Sequence, residues 1–470
     1  MKRWLLFLLL GGLAGCVSYQ PQPLAPVQSE KDFRARSLND PGLREFVQRN
    51  FTNPPVAWPP GEFDLKSLTL AALYFHPDLQ AARGRIAAAQ AAEVTAGARP
   101  NPSVSLLPTW VVDSYAGEPP WLFGASLDVP IETAGKRQKR LEAARQTTRA
   151  ARLAFAQTAW NVRSRLRGAL VEYFGAQPAL ELFRSEARVR GQLTNMLAQR
   201  LAAGEASRFE AAAAQMDSLN ATIALRAAET RAAQARLAVA AALGLPASAV
   251  ADLPLAWTDF DAPRKDVSIE SLQSAGLVNR LDVQRALAEY AAVDAALRLE
   301  IAKQYPDLHL TPGYEFDQGE HKFSIGPSFT LPIFDRNQGP IAEARAKRDA
   351  LAADFLALQM QAIQETEKAA ADYHFALAEW AEADQAAQTL QQKLEKATEQ
   401  QVQLGEADRL TLSYTQLQRF AAMRARLESL RKVQDALGAL ENAIQRPLFD
   451  EDDWRAVNRL ENPGPPKGTP

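Results

Sequence analysis

The 470-residue chain contains little cysteine and histidine, with one Cys and four His. A single cysteine excludes a disulfide framework, and the scattered histidines lack the spacing of a zinc or iron site. The 53 basic and 55 acidic residues nearly cancel without a long basic run, which argues against nucleic-acid binding. No nucleophile elbow, phosphate loop or paired catalytic set occurs. We therefore predict no enzymatic activity, no cofactor and no metal centre.

Long apolar runs are absent beyond the N-terminus, which excludes a multi-helix inner-membrane protein, because each span needs about 20 apolar residues. Residues 1–15 combine two basic residues, an apolar stretch and small residues, which predicts a signal peptide. The segment Leu13-Ala14-Gly15-Cys16 resembles the lipobox of bacterial lipoproteins. This resemblance implies acylation of Cys16, and the absence of Asp after it favours the outer membrane. The alternative is that Cys16 lies near an ordinary cleavage site.

Proline-rich segments flank the rest of the chain. Residues 16–66 contain eight prolines, a spacing that predicts an extended strap without a long helix. The C-terminal residues 448–470 become acidic and then rich in Pro and Gly, which predicts a flexible tail.

The remaining sequence is a tandem repeat. Pro77-Asp78-Leu79-Gln80 recurs as Leu281-Asp282-Val283-Gln284, and Gly204-Glu205-Ala206-Ser207-Arg208 recurs as Gly405-Glu406-Ala407-Asp408-Arg409. The repeats cover about 67–246 and 269–447, with a linker at 247–268 between them. Each repeat has the order helix, strand, strand, long helix, turn, long helix. The first helices are predicted at about 77–99 and 270–304.

The four predicted strands lie at about 102–114, 121–131, 306–317 and 321–332, and their residues alternate between apolar and polar. Strands of about ten residues with one apolar face can cross a bilayer when tilted. A soluble hairpin lying on a core is the alternative. Because four strands cannot close a membrane barrel, several chains must share one. Two chains would give eight strands and a filled interior, and three would give twelve and a passable lumen.

The helices after each hairpin are too long for a globular domain. The helix at about 135–201 would extend about 100 Å, and the helix at about 340–404 is predicted to be equally long and uninterrupted. Apolar residues recur at three- and four-residue spacing among abundant alanines, which predicts closely packed coiled coils. A rod-like scaffold without a passage has the same periodicity.

The combination of lipobox, duplicated unit and paired Gly-Glu turns resembles the TolC family of outer-membrane efflux channels. The strand-to-helix junctions at 129–137 and 331–339 are similar to the heavy-metal branch served by resistance-nodulation-division (RND) pumps. The resemblance implies an α+β homotrimer with a 12-stranded outer-membrane β-barrel, continued by a 12-helix periplasmic coiled-coil tunnel. A periplasmic membrane-fusion adaptor and an inner-membrane pump would be its partners.

The two Gly-Glu turns reverse the long helices far from the barrel. Glycine favours the left-handed conformation that ends a helix, and Ser or Asp three residues later caps the next helix. Capping alone explains half of these residues. The resemblance implies that the charged ones form the closed entrance and contact the adaptor. The candidate tip and gate residues are Gly204, Glu205, Ser207, Arg208, Gly405, Glu406, Asp408 and Arg409. We further predict charge pairs between protomers that break on opening.

The polar face of the strands has an acidic bias that would favour cations in a wide pore. Ordinary solvation of a polar face explains each residue taken singly. The candidate lumen-lining residues are Asp113, Asp128, Asp307, His309, Glu315 and Asp317.

We therefore predict a passive, gated outer-membrane conduit in a tripartite efflux system, which exports small molecules or metal cations. The same conduit could serve a type I protein secretion system. A lipid-anchored coiled-coil scaffold without a pore is the alternative of another class.

Overall fold

The computed structural model describes residues 17–50, 58–112, 120–256, 260–263, 280–317 and 319–448. The predicted signal peptide, Cys16, Asp113 and residues 449–470 of the predicted tail lie outside these ranges. Part of the predicted linker and the start of the second repeat's first helix also lie outside them.

The N-terminal segment contains two short helices, so the prediction of an extended strap is wrong for these residues. Helix α1 spans Pro26–Ala35 and helix α2 spans Pro41–Asn50. Both helices begin at proline, where the missing N–H removes no helical hydrogen bond. The prolines therefore begin helices here instead of preventing them. After α2, the segment reaches helix α3, Leu65–Phe75, whose start is closed by a capping box between Asp64 and Ser67.

The first repeat continues with helix α4, Pro77–Gly97, and strands β1, Ser103–Trp110, and β2, Trp121–Ile131. Two long helices follow: α5, Lys136–Ala202, and α6, Arg208–Leu243. Helix α5 contains 67 residues and runs through its internal proline, so it extends about 100 Å. A short 3-10 turn at Ala247–Val250 ends the repeat.

The second repeat has the same order of elements. Helix α7, Leu281–Ala302, precedes strands β3, Leu308–Asp317, and β4, Glu320–Ser328. Strand β4 ends before the predicted residue 332 because its partner β3 begins at Leu308, so no further pairing is available. Helix α8, Gln338–Asp384, leads through a π-helical segment, Gln385–Gln391, into helix α9, Gln392–Leu404, and helix α10, Arg409–Ile444, returns.

The π-helical segment corrects the prediction of an uninterrupted second helix. A π-helical turn places extra backbone in one turn and shifts the register of the side chains after it. Apolar periodicity does not reveal it because the helix axis continues on both sides. The two repeats therefore share an element order but differ in their helical hairpins, since only the second one contains a π-helical segment among the described residues.

The main hydrophobic core lies between the sheet and the helical tips. It joins α2, α3 and α4 to the middle of α5 and the end of α6, with Leu68, Phe75, Phe155, Leu166 and Leu243 buried. Between this core and the helical tips, α6 packs on α5 through buried alanines at heptad spacing: Ala214, Ala221, Ala228 and Ala235. Small residues at this spacing allow two helices to approach closely. The predicted coiled-coil packing is thus present in the first helical hairpin.

Candidate functional site: an amphipathic sheet and two helical tips

The four strands form one antiparallel sheet in the order β1-β2-β3-β4. The central pair β2–β3 joins the two repeats, with Val129 opposite Leu310 and Ala125 opposite Tyr314. Among the described residues, β1 and β4 are therefore the edges of the sheet. Unpaired edges leave rows of backbone N–H and C=O groups available for another strand.

One face of this sheet is apolar across all four strands. Because residues directly opposite one another share a face, the pairing places Leu106, Ala125, Tyr314 and Phe323 on the same side. The described residues leave this face uncovered: Phe323 and Ile325 are 82% and 70% exposed. A continuous exposed apolar surface of this kind marks a lipid or protein interface.

Aromatic rings concentrate at the hairpin end of the apolar face. Trp110 and Trp121 lie edge to face with ring centroids 4.8 Å apart. In the second hairpin, Tyr314 contacts Phe323, and the hydroxyl of Tyr314 lies 2.7 Å from Nδ1 of His321. Such rings are typical of the aromatic girdle at a membrane–water boundary.

The opposite face contains polar and small residues, including four of the predicted lumen residues. Asp128 and His309 lie on the neighbouring strands β2 and β3, with His309 Nδ1 3.0 and 3.1 Å from the two carboxylate oxygens of Asp128. Glu315 lies opposite Lys322 on β4, and Lys322 Nζ donates to Asp317 at 2.5 Å. This face therefore brings Asp128 and His309 together, and Asp317 has a basic partner.

Asp307 has a different position from the other predicted lumen residues. Its carboxylate accepts from Lys136 Nζ at 2.8 Å and from the backbone N–H of Thr133 at 2.9 Å. Burial alone would raise the pKa of Asp307, but the hydrogen bonds from Lys136 and Thr133 outweigh burial and hold the pKa below its usual value. Asp307 therefore fixes the start of β3 to the start of α5, at the junction of sheet and helices.

The first tip joins α5 to α6. Gly204 has a φ of 79°, a left-handed conformation that ends α5. Ser207 Oγ accepts from Glu210 N at 3.1 Å, and Ser207 N donates to Glu210 Oε2 at 2.8 Å, which completes a capping box. The side chains of Glu205 and Arg208 are exposed and have no polar partner among the described residues.

The second tip joins α9 to α10 by the same backbone geometry. Gly405 has a φ of 79°, and Asp408 Oδ1 accepts from the backbone N–H of Thr411 at 2.8 Å. This N–H, the Thr411 hydroxyl and the Arg200 guanidinium lower the pKa of Asp408 to about 2. Glu406 and Arg409 are exposed, with no side-chain polar partner in the described part of the chain.

The two tips contact each other within one chain. Arg200, near the end of α5, donates to Asp408 Oδ2 at 2.9 Å. An apolar cluster beneath this pair joins Leu193, Leu197 and Ala214 of the first hairpin to Leu410 of the second. Sequence reasoning missed Arg200 because the pair joins different repeats. A pairing of Asp408 with another protomer would have to compete with Arg200.

Sequence reasoning also missed the charges buried between the repeats. Gln434 and Glu441 are polar residues at positions of α10 where three- and four-residue spacing predicts apolar ones. In the structure, Arg163 donates to Glu441 at 2.9 Å, and Arg167 donates to the backbone oxygen of Gln434 at 2.7 Å. Those two seam positions were the available signal, because a buried carboxylate requires a nearby cation.

Membrane-spanning helices and metal-binding clusters are both absent from the described residues. No helix in this part is both long and apolar enough to span a membrane. In the same ranges, no group of three or more His, Cys, Asp or Glu side chains is arranged to hold a metal ion.

Comparison with known proteins identifies the family. The family model described as outer membrane efflux protein matches residues 70–245 and 272–445. The chain is 29% identical over 235 residues to the cobalt-zinc-cadmium resistance protein CzcC of Cupriavidus metallidurans, and this match spans 50% of the chain and 55% of that protein. The chain thus spans about half the length of this relative.

The fold is similar to those of solved outer-membrane proteins. VceC from Vibrio cholerae superimposes with a TM-score of 0.66 at 20% identity, over 81% of this chain and 95% of that chain. CusC superimposes with a TM-score of 0.64 at 18% identity, over 84% and 95% of the respective chains. These likenesses confirm the predicted α+β fold. Because the family model matches both repeats, the chain belongs to the outer membrane efflux protein family, and the predicted resemblance to TolC channels is confirmed.

Proposed function

We propose that three copies of this chain form a gated outer-membrane channel for efflux. The observation that carries the proposal is the four-stranded sheet, which has an exposed apolar face, a polar face and two free edges. In a bilayer, unpaired strand edges cost several kcal/mol for each backbone group, so β1 must pair with β4 of another copy. Three copies give twelve strands, enough to enclose a water-filled lumen lined by the polar faces.

The long helices continue this conduit into the periplasm. Each chain contributes two helical hairpins, so three chains contribute twelve helices. In each hairpin one arm of 67 residues extends about 100 Å, as α5 does, and the returning helix of 36 residues extends about 54 Å, as α10 does. The exposed charges at the tips support contacts with other proteins, and we assign these contacts to a periplasmic adaptor and an inner-membrane RND pump. The channel is passive, because these partners supply energy and substrate.

The substrates we assign are small molecules or metal cations. Two features support cations: the acidic bias of the polar face, and the similarity to CzcC, which is named for cobalt, zinc and cadmium resistance. We also propose that Cys16 is acylated and fixes the N-terminus to the outer membrane. Acyl labelling of wild-type and Cys16→Ser protein tests this, and equal labelling of both would contradict it.

Conductance in planar lipid bilayers tests the channel. We expect the purified full-length protein to form heat-modifiable oligomers and to give discrete conductance steps. A folded oligomer without conductance, in the wild type and in every tip variant, would support a scaffold and overturn the proposal.

The contribution of Asp408 to gating can be separated from helix capping. Asp408→Ser keeps a capping side chain but removes the ion pair with Arg200, whereas Ser207→Ala removes a cap without removing an ion pair. Glu406→Ala removes an exposed charge only. If charge pairs hold the entrance closed, Asp408→Ser and Glu406→Ala raise closed-state conductance and Ser207→Ala does not. Equal conductance of all three variants and the wild type would contradict gating by these charges.

A further inference from the structure

We propose that Asp128 and His309 form a divalent transition-metal site on the polar face of the sheet, with Zn²⁺ as a representative ligand. The two residues lie on β2 and β3, the strand pair that joins the repeats. The inference rests on the proposed function for one statement only, that cations pass along this face.

The donor geometry suits a metal ion. His309 Nδ1 lies 3.0 and 3.1 Å from the two oxygens of Asp128. Tetrahedral Zn²⁺ has bonds of about 2.0–2.2 Å to His nitrogen and carboxylate oxygen, which places two such ligand atoms about 3.3 Å apart. A metal can therefore replace the proton between the two groups after a small rotation of the imidazole.

The surroundings hold the carboxylate and leave the site open to water. Thr311 Oγ1 donates to Asp128 Oδ1 at 3.4 Å, which orients the carboxylate. Hydrogen bonding of this kind to a ligating carboxylate is typical of metal sites. The side chains of His309 and Asp128 are 41% and 36% exposed, so water molecules can complete the coordination. Glu315 lies on the same face and adds negative charge.

Two protein ligands give weaker binding than a structural site with four. A conduit requires this, because an ion must leave each site as readily as it enters. Mg²⁺ should bind poorly at this site, because it prefers oxygen donors and retains its water shell.

The same sheet supplies a matched control. His321 is on the apolar face, where its Nδ1 is 2.7 Å from the hydroxyl of Tyr314 instead of a carboxylate. His76 is buried, and its Nδ1 accepts from the backbone N–H of Asp78. Asp78 Oδ2 also lies 3.6 Å from His76 Nδ1, but that oxygen is paired with Arg165 at 2.8 Å and that nitrogen is occupied by the Asp78 N–H, so neither histidine presents the open pair of donors found at His309.

Calorimetric titration of the purified full-length oligomer with ZnCl₂ tests the site, using an affinity tag without histidine. We expect one Zn²⁺ per protomer in the wild type and in His321→Ala, and loss of this binding in His309→Ala and Asp128→Asn. Thr311→Val should weaken binding severalfold, and excess Mg²⁺ should not compete. Asp128→Asn preserves the size of the side chain, so it remains informative if His309→Ala fails to fold.

Equal Zn²⁺ binding by wild type, His309→Ala and Asp128→Asn would overturn the proposal, as would loss of binding in His321→Ala alone. Conductance is measured in parallel with ZnCl₂ present. Zn²⁺ binding without conductance would refute the proposed function but leave the site standing. Conductance without the expected binding would refute the site and leave the channel standing.

Discussion

Replacing Glu441 tests the buried charges that join the two repeats. The Glu441 side chain is 4% exposed and binds Arg163, whose side chain is 9% exposed, at 2.9 Å. Arg167 Nε lies 3.4 Å from the same carboxylate. Glu441→Leu fills the seam with an apolar side chain of similar size. It leaves the buried guanidinium groups of Arg163 and Arg167 without the carboxylate that they bind.

Removing one partner of a buried ion pair costs about 3–5 kcal/mol of folding free energy, since the remaining charge cannot be solvated. We expect a loss of this size for Glu441→Leu, measured by urea unfolding of the detergent-solubilised protein with circular dichroism. Tryptophan fluorescence provides a second probe, because the Arg163 guanidinium lies 5.0 Å from the centroid of the Trp160 ring.

Two further variants make the interpretation specific. Glu229→Gln removes an exposed ion pair with Arg226, and such pairs contribute about 0–1 kcal/mol. The triple variant Arg163→Met, Arg167→Met, Glu441→Leu removes every charge of the network and should recover most of the lost stability. A loss below about 1 kcal/mol in Glu441→Leu, or a triple variant no more stable than the single one, would refute the reasoning.

Three other perturbations are equally direct. Lys136→Met leaves the carboxylate of Asp307 without its cation and should lower the melting temperature of the protein, and Asp307→Asn should lower it at least as much, because the Lys136 side chain left without a counter-charge is only 9% exposed. Gly438→Ala would place a Cβ against the Arg167 guanidinium, which is buried and held by the backbone oxygen of Gln434, and should destabilise the protein by about 1–3 kcal/mol in urea unfolding. The cap of α10 should weaken in acid: with a folded pKa of about 2, Asp408 stabilises the tip above about pH 4, and this contribution is lost as the pH falls through 2. Amide exchange at the second tip, expressed as protection factors, measures this loss.

Alternation along the strands predicted the faces of the sheet correctly, because a strand has a side-chain period of two and neighbouring strands are in register. Asp128 and His309 could therefore be assigned to the polar face from sequence. Their direct contact could not, because strands from different repeats pair in a register that neither hairpin determines. Alternation predicts a lumen position for Asp307, and it contains no signal for the contact with Lys136 at the junction, because that residue belongs to a helix of the other repeat.

Local sequence signals predicted the helix stops and caps at both tips. The stop at Gly204 and the cap at Ser207 depend on residues three or four positions apart, so the sequence contains the whole motif. The prediction of an extended strap from the N-terminal prolines failed because proline is excluded from a helix interior but not from a first turn. Whether Pro41 begins a helix depends on the residues after it and on what they pack against, since α2 buries Leu43 and Val47.

The polar contacts between the repeats explain why each repeat pairs with the other and not with a copy of itself. Counted from the helix starts, Arg163 of α5 corresponds to Glu365 of α8, and Glu441 of α10 corresponds to Ala240 of α6. If the first repeat paired with another first repeat, Arg163 would face Ala240 and remain a buried, unpaired charge. If the second repeat paired with another second repeat, Glu441 would face Glu365, which is bound to Arg280, and the buried Glu441 carboxylate would have no cation. Both arrangements bury uncompensated charge, and each such charge costs several kcal/mol. The apolar seams alone would tolerate either pairing, so the buried ion pair selects the pairing of the first repeat with the second.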